Sequence, residues 1–194
     1  LARTMFDLMW AGRAKPQTLL KWSAFDPRQL QPIRDLQAAK KGVIIIIPHF
    51  GNWEFSGLAF GAAGVKLTTI AEPGVNPHID AMITRARAST GHRIVPPRNA
   101  MLTMVRAAMR SQPVALFVDV NARRGRGGIW ADFFGVPVYQ SVAAAELAIR
   151  SNGSIICCVP KTLPDGRVKV DFPAFFDAAD TTAPDHAGRV RELS

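Results

Sequence analysis

Val43-Ile44-Ile45-Ile46-Ile47-Pro48-His49-Phe50-Gly51-Asn52-Trp53-Glu54 is the stretch whose reading decides the fold. Five consecutive β-branched residues are stiff at χ1 and depleted in helices, so they predict a strand buried on both faces, at the centre of a parallel sheet. Pro48 ends the run. Asn52 is a candidate N-cap for a helix over 53–63, which Gly64 stops. The result is a β-loop-α unit with His49 in its loop and Glu54 in its first helical turn.

The same alternation continues outward. Residues 66–71 read as a strand, 77–90 as a helix, 93–95 as a short strand, 100–111 as a helix and 114–118 as a strand. A Gly- and Arg-rich irregular loop fills 119–128. A helix over 142–150, a strand over 154–159 and, after the Asp165-Gly166 turn, a strand over 168–172 follow. Residues 1–36 look helical, with Trp10, Trp22 and Phe25 placed either to pack on the sheet or to touch a bilayer. The alternation predicts an α/β fold, a mostly parallel central sheet with helices on both faces. No repeat, low-complexity tract or linker divides the chain, so one domain over 1–194 is expected. It opens on Leu1 and closes while a helix-like run over 187–193 is in progress, which predicts trimming at both ends.

Composition narrows the function classes. With 48% hydrophobic and 20% charged residues the 194-residue chain can bury a core. Its longest apolar run, 43–48, falls far short of the roughly 18–20 residues a spanning helix needs. The 24 Lys and Arg against 15 Asp and Glu give +9, which favours an anionic partner. Nucleic acid is disfavoured, because the cluster Arg123-Arg124-Gly125-Arg126 has no aromatic beside it until Trp130. That cluster suits anionic headgroups or an acidic carrier protein, and equally a solvated loop. Cys157 and Cys158 are adjacent in an apolar run, where a disulfide between them would be strained; they read as core residues in a reducing compartment, with no zinc motif. His78, His92 and His186 are scattered and no His stands four residues from His49, so no metal site is expected.

Ligands of parallel α/β sheets bind beyond the carboxyl ends of the strands, and His49 lies just past such an end. Glu54, favoured by the helix dipole, could turn back toward it. A carboxylate on one ring nitrogen fixes the tautomer and stabilises the imidazolium formed when the other nitrogen takes a proton. With no Ser or Cys nucleophile nearby in sequence, the pair points to a substrate hydroxyl, activated by His49, attacking a bound thioester directly. Gly51 would let backbone approach substrate. The competing reading makes His49 a hydrogen-bonded spacer. Asp119, at the end of another predicted strand, could face the same cleft, while a turn role for Asp119 and Asn121 is the alternative. Arg85 and Arg87 suit phosphate or form a solvated helix face. Trp130, Phe133 and Phe134 suit an acyl-chain groove or core packing.

The segment Pro48-His49-Phe50-Gly51-Asn52-Trp53-Glu54 resembles the His-x-x-x-x-Asp/Glu signature of the glycerolipid and lipid A acyltransferase superfamily. Glu rather than Asp is similar to the branch holding the late, lauroyl- and myristoyl-type acyltransferases of lipid A biosynthesis and the phosphatidylinositol mannoside acyltransferases. Asn76-Pro77-His78-Ile79-Asp80 with Arg85, Arg87 and Gly91 resembles the family's segment bearing a functional Arg, at Arg87. Phe117-Val118-Asp119-Val120-Asn121 and Asp132-Phe133-Phe134-Gly135 are similar to two further blocks. Glu72-Pro73 stands where lipid A enzymes often have Arg-Pro, and Val120 where Gln is usual, which points to a different acceptor pocket. The resemblance implies a glycerolipid acyltransferase-like fold, with His49 and Glu54 catalytic and Arg87, Asp119, Asn52, Gly51, Asn121 and Arg85 in support. It implies a thioester of acyl carrier protein or coenzyme A as co-substrate, no other cofactor, a lipid acceptor, an anionic membrane surface as partner, and the cytoplasmic face of a bacterial inner membrane. The alternatives are acylation of another membrane lipid, a phosphatidylinositol mannoside or lysophospholipid, and a non-catalytic anionic-surface binding domain.

Overall fold

The computed structural model describes residues 2–24, 26–122 and 127–194. Its helices are α1 (Ala2–Ala11), α2 (Pro16–Trp22), α3 (Gln31–Ala38), α4 (Trp53–Ala62), α5 (Pro77–Ala88), α6 (Ala100–Met109), α7 (Ala143–Arg150) and α8 (His186–Leu193). The strands are β1 (Val43–Ile47), β2 (Thr68–Ile70), β3 (Arg93–Val95), β4 (Val114–Phe117), β5 (Gly128–Phe133), β6 (Val136–Ser141), β7 (Ser154–Cys157), β8 (Val159–Thr162), β9 (Val168–Asp171) and β10 (Phe175–Asp177). Six of them form one sheet in the order β10-β7-β1-β4-β2-β3, with β10 alone antiparallel to its neighbour.

The β-branched run sits inside this sheet, as its sequence predicts. Val43, Ile45 and Ile47 point into a core shared with Leu8, Leu19, Ile33, Phe55, Leu58 and Phe60 of α1 to α4 and their connections. Ile44 and Ile46 point the other way, onto Met104 and Ala107 of α6 and Leu147 of α7. Burying such a side chain contributes roughly 1.5–3 kcal/mol relative to exposure. The run therefore fixes the position of the residues that follow it, His49 above all. Helices cover both faces, so the α/β expectation holds.

Two details differ from the sequence expectation, and a third decides between alternatives it leaves open. The strand over 154–159 breaks after Cys157: the Cys158 amide still bonds the Ile46 carbonyl at 2.9 Å, but Pro160 has no N–H for a central ladder, and the chain turns out to pair as β8 with β9. Residues 128–141, for which the sequence pattern predicts no helix or strand, form the hairpin β5–β6. In the N-terminal region packing wins for Leu8, Leu19, Leu30 and Ile33, whereas Trp10 and Trp22 stay half-exposed, Trp10 stacking on Phe55. Phe25, Arg123, Arg124 and Arg126 lie outside the described residues. Among the described residues, no helix is long and apolar enough to cross a membrane.

Candidate active site

Strand register builds the site. β1 and β4 are parallel neighbours with Ile47 opposite Phe117, so each chain leaves the sheet at the same edge, and two residues later come His49 and Asp119. Asp119 Oδ2 accepts the His49 backbone N–H at 2.7 Å, and Oδ1 lies 2.8 Å from His49 Nδ1. Burial pushes the Asp119 carboxyl upward, but the hydrogen bonds from the amide and imidazole of His49 outweigh it and hold the group below the usual carboxylate range. An ionised acceptor at neutral pH puts the imidazole proton on Nδ1 and leaves Nε2 as the basic nitrogen. The ring is held on a second side by Phe117, stacked at 4.2 Å and 22°, and edge-on by Trp53 at 5.3 Å.

Glu54 does not hold the imidazole. It accepts from Arg87 instead: Nη2 at 2.6 Å to Oε1, and Nε at 3.1 Å to each carboxylate oxygen. The Glu54 side chain is only 7% exposed, so this is a largely buried ion pair joining the first turn of α4 to the last turn of α5. The dyad expected from the sequence is thus corrected to two couples, His49 with Asp119 and Glu54 with Arg87. The reason is geometric: a residue in the first turn of α4 projects toward the neighbouring helix, while the β1–β4 register brings the carboxylate of another strand end onto the histidine.

The remaining predicted residues divide. Asn52 caps α4 by accepting the Phe55 amide at 3.1 Å, and its own amide donates to Asp7 at 2.7 Å. Gly51 has φ +61°, and a β-carbon there would run into the Pro160 carbonyl. These two fix the loop that carries His49 and Glu54. Asn76 caps α5, accepting from His78 and Ile79, and Asp80 accepts the Gly74 amide, so that block has a structural job. Arg85 and Asn121 are exposed. Phe133, Phe134 and Trp130 line no cavity beside His49 and are not core; they are exposed on the β5–β6 hairpin.

His49, Glu54 and Arg87 border a cavity of about 240 Å³ whose other walls are largely apolar, among them Ile47, Leu58, Leu67, Ile94 and Phe117. No Ser or Cys among the described residues lines it. Among the described residues, no three His, Cys, Asp or Glu side chains converge as metal ligands. His92, which the sequence offers only as an isolated histidine, belongs to this wall. Its Nδ1 accepts the Leu67 amide at 2.9 Å and its Nε2 lies 2.7 Å from the Gly57 carbonyl, tying the residue before β2 to α4. Burial lowers its pKa below the ordinary histidine value, the Gly57 bond opposing this only in part.

His92→Leu would leave two buried backbone groups unpaired and should cost about 2 kcal/mol near neutral pH. With a depressed folded pKa, the unfolded chain takes up a proton before the folded one as pH falls, so this histidine costs stability in acid. The deficit of the variant should therefore shrink toward about pH 5. Urea unfolding at the two pH values measures both effects, and a pH-independent deficit would contradict the neutral, doubly bonded ring.

A strand-end histidine held by a carboxylate opens on a largely apolar cavity in a mostly parallel α/β sheet, an arrangement with the parts that base-assisted chemistry on a ligand with an apolar portion requires. Comparison with known sequences supplies the family. Residues 1–188 match the bacterial lipid A biosynthesis acyltransferases, and the chain belongs to that family. It is 25% identical over 123 residues to a phosphatidylinositol mannoside acyltransferase of Mycobacterium tuberculosis (strain CDC 1551 / Oshkosh), covering 61% of this chain and 38% of the relative. A protein of the same name from Mycolicibacterium smegmatis is 24% identical over 138 residues, 69% and 41% of the two chains. The lipid A biosynthesis lauroyltransferase of Escherichia coli K12 is 24% identical over 139 residues, 71% and 44%. The matched region thus spans about two fifths of the length of these curated relatives.

Proposed function

We propose that this chain is the catalytic core of an O-acyltransferase that moves a fatty acyl group from a thioester of acyl carrier protein or coenzyme A to a hydroxyl of a lipid A-type glycolipid at the cytoplasmic face of a bacterial inner membrane. The observation that carries this reading is the His49–Asp119 couple beside a largely apolar cavity that, among the described residues, no Ser or Cys lines. Asp119 keeps the Nδ1 proton in place, so Nε2 takes the proton of the acceptor hydroxyl as its oxygen attacks the thioester carbonyl. The C–O bond forms, the C–S bond breaks as the tetrahedral intermediate collapses, and the imidazolium returns the proton to the departing thiolate. The largely apolar wall of the cavity, about 240 Å³ in volume, receives the acyl chain. Arg87, with Nε and Nη2 already on Glu54, is a positioning residue and not a free phosphate clamp.

A second acceptor is favoured by one observation. Glu72 lines the cavity where lipid A enzymes often carry Arg, and a carboxylate there repels phosphate and accepts hydrogen bonds from sugar hydroxyls. That suits a mannosylated acceptor, the substrate class in the names of the mycobacterial relatives. Incubating full-length protein with a long-chain acyl thioester and either acceptor, followed by mass spectrometry of the lipids, separates the two. Acylated lipid A precursor supports the first reading and acylated mannoside the second. Thioester left intact with both, under conditions in which the protein is folded, would overturn acyl transfer.

A further inference from the structure

The β5–β6 hairpin carries a feature that folding alone does not explain. Phe133 pairs with Val136, and the two residues between them, Phe134 and Gly135, both have positive φ, 53° and 79°, the mark of a type I′ turn. The first position of that turn favours Asn, Asp or Gly, because an ordinary side chain there meets its own backbone. Here it holds phenylalanine, 91% exposed, with Asp132 accepting the Gly135 amide at 2.9 Å to keep the turn closed. Phe133 and Val136 beside it are 60% and 59% exposed, and the two phenyl rings meet edge to face at 4.8 Å. No other described helix or strand packs extensively on the hairpin, although a bare two-stranded hairpin is only marginally stable in water. The sequence therefore accepts a strained, solvent-facing aromatic at the tip of an element that needs an apolar partner.

We propose that this hairpin is a wedge whose tip, Phe133, Phe134 and Val136, enters an anionic lipid surface and thereby sets the height of His49 above the bilayer; the proposal rests on the reading of the acceptor as a membrane lipid. Three observations favour lipid over a protein partner. The chain carries a net charge of +9, which draws it to an anionic surface. The six tip residues, 132–137, include no cation that an acidic carrier protein would need, and their one charge, Asp132, is engaged with the turn amide. Farther from the tip, Trp130 and Tyr139 pair across the strands at 5.4 Å, and such amphipathic rings settle at headgroup depth.

The base of the wedge is tied to the catalytic edge. Gln140 Nε2 donates to the Val118 carbonyl at 3.0 Å, and the Ala122 amide donates to Tyr139 at 2.8 Å, which clamps the hairpin to the segment carrying Asp119. Strands of six residues reach about 20 Å. Insertion of the tip would thus hold the His49–Asp119 couple at a fixed distance from the membrane, where a lipid hydroxyl can reach it.

Phe134→Asn is the decisive variant, because asparagine is a preferred residue of the turn and should preserve or raise the melting temperature while removing the apolar tip. Full-length protein is sedimented with vesicles of phosphatidylglycerol and phosphatidylethanolamine, and its transfer activity is compared on acceptor embedded in those vesicles and on a short-chain acceptor dissolved singly. A drop of ten-fold or more in vesicle partitioning, with activity lost on embedded acceptor and kept on dissolved acceptor, is expected. Undiminished vesicle binding would overturn the wedge and leave acyl transfer standing. Equal loss on both acceptors would also overturn it, assigning the hairpin to the site or to a protein donor. A wild-type protein that binds vesicles through Phe134 yet transfers no acyl group would keep the wedge and sink the enzymatic reading.

Discussion

Asp119→Asn is expected to lower acyl transfer by about three to four orders of magnitude without unfolding the protein, on the scale seen when a carboxylate that orients a catalytic histidine is made an amide. The side-chain carbonyl of asparagine can still accept the His49 amide, the bond Oδ2 makes at 2.7 Å, so the loop should hold. The amide nitrogen, however, would present N–H to Nδ1, which must then become the acceptor. The ring proton moves to Nε2, and the nitrogen aimed at the acceptor hydroxyl can no longer take a proton. His49→Ala should fall at least as far, by about 10³ to 10⁴, the upper part of the range for losing proton transfer. The measurement is kcat/KM with a soluble acyl thioester alongside thermal melting. A folded Asp119→Asn protein that keeps more than a tenth of wild-type turnover would remove Asp119 from the couple.

The contrast between the two couples shows where sequence reasoning stops. The β-branched run predicts β1, and the break at Pro48 with the Asn52 cap predicts the loop and α4, because each depends on residues within one or two turns. Sequence also marks His49 and Asp119 separately as strand-end residues. What it cannot supply is the order β1-β4-β2, in which the chain passes β2 and β3 at the edge before returning to lie beside β1. Only that order puts Ile47 opposite Phe117 and the histidine against this carboxylate. Glu54 and Arg87 are 33 residues apart on different helices, so spacing gives no sign of their pairing. Local signals fail for β5–β6 as well, since Phe-Gly is not a turn pair that sequence patterns flag and Pro137 argues against a strand. The hydrogen bonds of His92 join the Leu67 amide, just before β2, to the Gly57 carbonyl of α4, a meeting equally invisible along the chain.

Breaking the second couple should damage stability more than chemistry. Glu54→Ala leaves the Arg87 guanidinium, whose side chain is 26% exposed, without its carboxylate, and removing one member of a buried pair costs about 3–5 kcal/mol. Partial access to water puts this site at about 3 kcal/mol, a fall of roughly 6–12 °C in melting temperature for a domain of this size. Arg87→Met should cost a similar amount, and the double variant Glu54→Gln with Arg87→Met should recover part of it, because no unpaired charge remains. In each case transfer should fall through misplacement of the loop that carries His49, with kcat/KM restored in part by the conservative Arg87→Lys. Its single ammonium can meet the carboxylate without the fork. Glu54→Gln isolates the question, since glutamine is the same size and keeps an acceptor for Arg87 Nη2. If it lost transfer as deeply as Asp119→Asn at unchanged melting temperature, Glu54 and not Asp119 would be the working carboxylate, reached by a rearrangement of the 49–54 loop when substrate binds.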